Sequence, residues 1–85
     1  MFYTYIIKSI KDNDCYIGYT SDLQKRLKEH NSKLNKSTKH RTPFKIIYYE
    51  AYASKDDATR REHNLKLRAR AFRQLKLRIK KSLEN

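Results

Sequence analysis

The sequence predicts a small α/β domain of the α+β class, in which a three-stranded antiparallel sheet is flanked by helices in the order β-β-α-β-α-α. Three segments, 2–8, 15–19 and 44–52, are rich in the aromatic and β-branched residues that favour strands. The segments between and after them carry apolar residues at the helical period. A chain of 85 residues can bury one small core, so we expect a single domain over residues 1–85.

The charge composition indicates a polyanionic partner. Twenty-one Lys and Arg against nine Asp and Glu give a net charge of +12, which argues against an ordinary enzyme of small metabolites. The first residues lack the basic segment and long apolar run of a signal peptide or a membrane span. The lone Cys15 cannot form an internal disulfide. We therefore expect a cytoplasmic protein that does not bind membranes.

The first two strands should form an antiparallel hairpin. The polar run 10–14 has the composition of a turn, and residues 15–19 resume the strand pattern after it. Tyr5 and Tyr16 are then expected to be cross-strand neighbours. Gly18 is the only glycine, and it either allows another group to approach closely or marks a kink at the strand end.

The first helix should begin after the hairpin. Ser21 and Gln24 have the spacing of a capping box, which predicts the helix start. Arg26 and His30 lie four residues apart along the edge of the apolar stripe, so both should overhang the end of the hairpin. The stripe itself consists of leucines at the helical period: Leu23, Leu27 and Leu34.

A basic loop and a third strand follow. Residues 31–42 are poor in apolar side chains, and their clustered cations could bind a sugar-phosphate backbone or simply lie on a solvated surface. Residues 44–52 form an apolar run long enough to predict the central strand of the sheet.

The fourth element, a helix, places a carboxylate among its apolar positions. Ser54 and Asp57 have capping spacing. Burying the carboxylate of Glu62 costs several kcal/mol unless it is paired or binds a cation. An ion pair with an arginine is the structural alternative to a metal site. The apolar stripe around Glu62 is Ala58, Leu65, Ala69 and Phe72.

The C-terminal segment 71–83 is predicted to be a basic amphipathic helix. Its cationic side chains could lie along phosphates while its apolar stripe packs on the core. That stripe continues the helical period through Phe72, Leu75, Ile79 and Leu83.

This combination resembles the GIY-YIG nuclease domain, specifically the small free-standing bacterial members related to the catalytic domain of the bacterial excinuclease. The resemblance extends over about residues 2–80, in the order of the elements and in a few residues. The first signature triplet reads Tyr3-Thr4-Tyr5 here and keeps only its tyrosine. The matching residues are Tyr5, Tyr16-Ile17-Gly18, Arg26, His30 and the pair Arg61-Glu62.

The resemblance implies a metal-dependent endonuclease that hydrolyses phosphodiester bonds of DNA, by structure-selective or nonspecific nicking in DNA repair or processing. Glu62 would hold one Mg²⁺ or Mn²⁺ ion, and Arg26 would stabilise charge on the reacting phosphate. Tyr16 would be the general base. His30 would bond Tyr16 or the attacking water and relay the proton, and Tyr5 would position the cluster.

DNA is accordingly the expected partner, bound by a monomer or weak dimer. The candidate substrate-binding residues are Gly18, Lys33, Lys36, Lys39, His40, Arg41, Lys66 and Arg70.

Two other functions are open. A non-catalytic module for DNA or structured RNA would explain the charge, although Glu62 would then oppose phosphate binding. An interaction protein that uses its C-terminal helix on a partner or an anionic membrane is disfavoured, because that helix lacks Trp and the core needs its apolar stripe.

Overall fold

Three strands form one antiparallel sheet in the computed structural model, which describes residues 1–32 and 39–84. The strands are β1 (Phe2–Ser9), β2 (Cys15–Thr20) and β3 (Phe44–Tyr52), in the spatial order β2-β1-β3. The predicted three-stranded antiparallel sheet is confirmed, but the expectation that residues 44–52 are central is wrong. The central strand is β1, whose residues 4–7 are buried because helices cover both of its faces.

The turn between β1 and β2 sets their register. Lys8 pairs with Cys15, so Tyr5 lies opposite Gly18 and Ile7 lies opposite Tyr16. Tyr5 and Tyr16 therefore share a sheet face and are cross-strand neighbours on the diagonal, not directly opposite each other.

Four helices complete the fold in the order β-β-α-β-α-α-α. They are α1 (Leu23–Asn31), α2 (Lys55–Leu67), α3 (Ala69–Arg78) and α4 (Lys80–Glu84), with a 3₁₀ turn at Lys39–Arg41. The segment predicted as one helix over 71–83 is thus divided at Ile79, whose backbone (φ −106°, ψ 29°) leaves the helical region. Residues 33–38, Leu34 among them, and Asn85 lie outside the described residues.

The helix starts differ slightly from the sequence prediction. Asp22, not Ser21, caps α1, since its Oδ1 accepts a bond of 3.1 Å from the backbone N–H of Lys25. Ser54 is at the N-cap of α2 as expected. Two aspartates in the first turn of α2 interact favourably with the helix dipole.

Helices cover both faces of the sheet. On one face Ile6 packs against Leu65, Leu75 and Ile79, with Phe72 and Leu83 around them. Ala69 is exposed, contrary to the predicted stripe, because the chain leaves helical geometry at Arg68 between α2 and α3.

On the other face α1 is fixed at its end. The side-chain amide of Asn31 exchanges two hydrogen bonds with the backbone of Phe44, at 3.0 and 2.6 Å. Within residues 1–32 and 39–84, no helix is long and apolar enough to cross a membrane.

Candidate active site

A cavity of about 490 Å³ crosses the free edge of β2. Side chains enter it from both faces of the sheet: Tyr5 and His30 from the α1 side, and Glu62 from α2 on the opposite side. The cavity brings together all five predicted catalytic residues and two predicted substrate-binding residues. These are Tyr5, Tyr16, Arg26, His30 and Glu62, with Gly18 and Lys66.

Tyr5 is the centre of the α1-side group. Its hydroxyl lies 3.1 Å from His30 Nε2, and Arg26 Nε donates to the same oxygen at 3.3 Å. Tyr5 and His30 are both buried. These contacts fix the plane of the Arg26 guanidinium at the cavity.

Gly18 makes room for the Tyr5 ring. The two residues are directly opposite in the sheet, and a Cβ on Gly18 would overlap the ring and the hydroxyl of Tyr5. The glycine therefore serves close packing by a side chain, which was one of the two interpretations of its position.

The group has distinct protonation properties. The hydrogen bond to Tyr5 raises the pKa of Arg26, so its positive charge is permanent. Burial, and then the charge of Arg26, lower the pKa of His30 below 6.5. His30 is therefore neutral at physiological pH and can both donate and accept a hydrogen bond.

Tyr16 has a cationic neighbour, Arg41. Arg41 Nη1 donates to the Tyr16 hydroxyl, and the guanidinium carbon lies 5.5 Å from the Tyr16 ring centroid. Phe44 packs edge-on against the same ring. Arg41 is held in turn by ion pairs of 3.4 and 3.5 Å to Asp12 and Asp14.

Glu62 projects from α2 with 23% of its side chain exposed. Its Oε2 lies 2.9 Å from Lys66 Nζ one turn later, so its described ion-pair partner is a lysine and not an arginine. Within the part of the chain that the structure describes, no three His, Cys, Asp or Glu side chains cluster as a metal site. A single half-buried carboxylate fits Mg²⁺, which needs only one or two protein carboxylates beside water and phosphate.

Three of the other predicted substrate-binding residues, His40, Arg41 and Arg70, are described and do not line this cavity. His40 and Arg70 are exposed, and Arg41 lines a neighbouring groove. Lys33 and Lys36 lie outside the described residues, as does the side chain of Lys39.

The sequence analysis did not predict a second partly buried carboxylate, Glu50, which is surrounded by hydrogen-bond donors. Arg61 Nε and Nη2 donate to the two oxygens of Glu50 at 3.0 and 3.1 Å, and Tyr48 donates at 2.6 Å. Tyr52 donates to Glu50 as well. The sequence pattern that could have predicted this cluster is the alternation of Tyr48, Glu50 and Tyr52 in one strand, because it places all three side chains on one face of the sheet.

The cluster has a strongly perturbed electrostatic environment. Burial opposes ionisation of Glu50, but the hydrogen bonds from Arg61 and the two tyrosines outweigh it and lower the pKa of Glu50. Burial, followed by the bond to Glu50, raises the pKa of Tyr48 and of Tyr52 to about 12. The cluster thus remains a fixed, charged link between α2 and β3.

Comparisons with known proteins show the family to which the chain is related. A model of the GIY-YIG catalytic domain matches residues 1–76. The chain is 45% identical over 65 residues to the UPF0213 protein SH2523 of Staphylococcus haemolyticus, covering 75% of this chain and 78% of that protein. It is 39% identical over 79 residues to the UPF0213 protein YazA of Bacillus subtilis, covering 92% and 79%.

A solved structure is similar as well. The solution NMR structure of the UPF0213 protein BH0048 from Bacillus halodurans has 37% sequence identity and a TM-score of 0.52, covering 91% of this chain and 85% of that one. The fold and the signature residues thus point to the same family. The chain therefore belongs to the GIY-YIG catalytic domain family.

Proposed function

We propose that this protein is a metal-dependent endonuclease that nicks DNA, acting in repair or processing. The observation that carries the proposal is that five side chains suited to phosphodiester hydrolysis line one cavity, although they come from four elements of the fold. A strand of DNA laid across the edge of β2 would meet the α1-side group and Glu62 together. Membership of the family supports nucleic acid as the partner.

The reacting phosphate would lie against Arg26. A planar guanidinium can bind two phosphate oxygens and stabilise the charge that grows on them. Tyr5 holds Arg26 through Nε, and Arg26 Nη1 lies 3.4 Å from Glu29 Oε1, a half-exposed carboxylate that the phosphate would replace as its partner. The Tyr5 hydroxyl lies 3.1 Å from His30 Nε2, so His30 would keep this pair aligned in addition to the proton relay that the resemblance implies.

Tyr16 would take the proton from the attacking water. A tyrosine hydroxyl is a weak base unless a cation stabilises its phenolate form. Arg41 donates to the Tyr16 hydroxyl and lies over its ring, so it orients this hydroxyl. We therefore add Arg41 to the site as the residue that positions Tyr16.

Glu62 would hold one Mg²⁺ or Mn²⁺ ion. When bound, the ion would neutralise charge on the phosphate and assist the leaving 3′ oxygen. Lys66, which neutralises Glu62 in the free protein, would then be available for a phosphate oxygen. Contacts to the DNA backbone on either side of the cut would come from the other predicted substrate-binding residues: Lys33, Lys36, Lys39, His40 and Arg70.

The alternative is a nucleic-acid-binding module without catalysis. The Glu62–Lys66 ion pair favours it, since a carboxylate already neutralised by a lysine has a structural explanation. Such a module would bind nucleic acid with the same steep salt dependence as the enzyme. Binding alone therefore does not separate the two functions.

Incubation with supercoiled plasmid and labelled DNA and RNA structures separates them. With Mg²⁺ or Mn²⁺ we expect conversion of supercoiled to nicked circular DNA, and with chelator no conversion. A monomer has one site, so nicked circles should precede linear product. Binding without nicking in both metals, at protein in excess over DNA, would leave the binding module as the function.

A further inference from the structure

A second groove, of about 480 Å³, adjoins the first cavity. The two share Cys15, Tyr16 and Phe72 on their walls, so the groove continues from the side of Tyr16 that faces away from Arg26 and His30. Three cations, Lys8, Arg41 and Lys76, line it.

The cations are arranged in advance of any ligand. Lys76 Nζ lies 4.9 Å from the Phe72 ring centroid on α3, and Arg41 lies over the ring of Tyr16 on β2. These two cation–π pairs stand on different elements that both border the groove. Cations already held in place lose less conformational freedom when they bind an anion.

The charge balance of the groove favours an anion. Asp14 is the one carboxylate among its described lining residues, and Arg41 is paired with it. Lys76 has no carboxylate partner within residues 1–32 and 39–84. The groove therefore presents net positive charge beside the position proposed for the reacting phosphate.

We propose that this groove binds the next phosphate of the cut strand, and that it takes this strand separated from its complement. The proposal rests on the proposed nuclease function. A groove of about 480 Å³ has the volume of a site for one nucleotide-sized ligand, and a base can enter such a site only when it is unpaired and unstacked. The preferred substrates are then branched or single-stranded DNA, in which the nucleotide beside the cut is unpaired.

The test is binding of a labelled single-stranded oligonucleotide and its duplex in chelator, by fluorescence anisotropy over a range of salt. Lys76→Gln is compared with Lys76→Arg and with Lys55→Gln, because Lys55 is exposed on α2 and lines neither cavity. We expect Lys76→Gln to weaken single-strand binding several-fold and to reduce the salt slope by about 0.7, the value for one phosphate contact on a single strand. Lys76→Arg should retain binding, and the duplex should be affected less.

Three outcomes would refute the proposal that the groove binds a separated strand. They are no binding of the single strand by the wild type, equal losses of binding in Lys76→Gln and Lys55→Gln, or a loss in Lys76→Gln that is the same for single strand and duplex. Each can occur while magnesium-dependent nicking persists, so the proposal for the groove can be wrong while the proposed nuclease function is right. Conversely, absence of nicking together with a selective loss in Lys76→Gln would refute the nuclease and leave the groove as a strand-binding site.

Discussion

Tyr5 connects three predicted site residues through one side chain. Its ring covers Gly18, and its hydroxyl meets both His30 and Arg26. Of the triplet 3–5, Tyr5 lines the cavity, whereas Thr4 points to the opposite face and donates to the backbone of Ala58 at 2.6 Å. The tyrosine that the altered triplet keeps is therefore the residue on which the α1-side group depends.

Gly18→Ala should destabilise the fold by about 1–3 kcal/mol, the usual cost of overpacking a filled site. The added Cβ would overlap the Tyr5 ring and force it to move. Urea unfolding measures the loss. In a Tyr5→Ala background the same substitution should cost much less, because the ring is gone. Equal costs in both backgrounds would show that Gly18 is needed for a reason other than Tyr5.

At the residue scale, the sequence predicted which side chains would gather at the cavity but not all of their contacts. The spacing of Arg26 and His30 is local to one helix, so a periodic pattern reveals it. The contact between Arg41 and Tyr16 depends on how the segment before β3 docks on the hairpin, where Ser9 Oγ donates to the Arg41 carbonyl at 2.5 Å. No local pattern encodes such a long-range contact.

At the scale of elements, the Glu50–Arg61 pair fixes α2 on the sheet. Arg61 immediately precedes Glu62, so the pair also sets the position from which Glu62 enters the cavity. The Glu50 side chain is only 16% exposed, and it accepts from groups on both β3 and α2. Loss of the pair should therefore affect the stability of the fold and the placement of Glu62.

Glu50→Gln should lower the free energy of unfolding by about 1–3 kcal/mol. This is less than the ~3–5 kcal/mol that is lost when a fully buried ion pair is broken, because Arg61 keeps some contact with solvent. The folded-state pKa of Glu50 is below 4.5, so its stabilisation is present above that pH and is lost as pH falls through the folded pKa. The difference from wild type should shrink at acid pH in urea titrations. Glu84→Gln, in an exposed pair with Lys81, is the control and should have little effect. A difference that does not change with pH would refute this role of Glu50.

The C-terminal helices are part of the core, which distinguishes them from a free interaction helix. Ile79→Ala should cost about 2–5 kcal/mol, the range for truncating a buried aliphatic side chain. Leu77→Ala, at a position 73% exposed, should change the unfolding midpoint little. If both variants unfold at the wild-type midpoint, the C-terminal segment does not stabilise the fold.

Among the elements, the sequence predicted their types and order better than their arrangement. The run 44–52 is apolar enough for a central strand, yet β3 lies at the edge, because β1 pairs with both of the other strands. The apolar period through Ile79 is continuous, so it could not reveal the break between α3 and α4. Periodicity reports which side chains are buried, not whether the backbone bends between them.

At the scale of the molecule, a basic chain carries an acidic residue in its candidate active site. The net charge of +12 draws nucleic acid to the surface but does not distinguish cutting from binding. Glu62, which shares its cavity with Arg26 and Tyr16, is the feature that favours cutting. The claim of metal-dependent hydrolysis therefore depends most directly on this carboxylate.

The most direct test compares plasmid nicking by wild type, Glu62→Gln and Glu84→Gln in Mg²⁺. Both substitutions remove one carboxylate charge, and Glu84 is an exposed residue at the end of α4. We expect Glu62→Gln to lose at least about 100-fold in rate, as when one charge-stabilising group is removed from an active site, while it still binds DNA in chelator. Glu84→Gln should nick at the wild-type rate. Nicking by Glu62→Gln as fast as by wild type would contradict the proposed role of Glu62 and, with it, the mechanism.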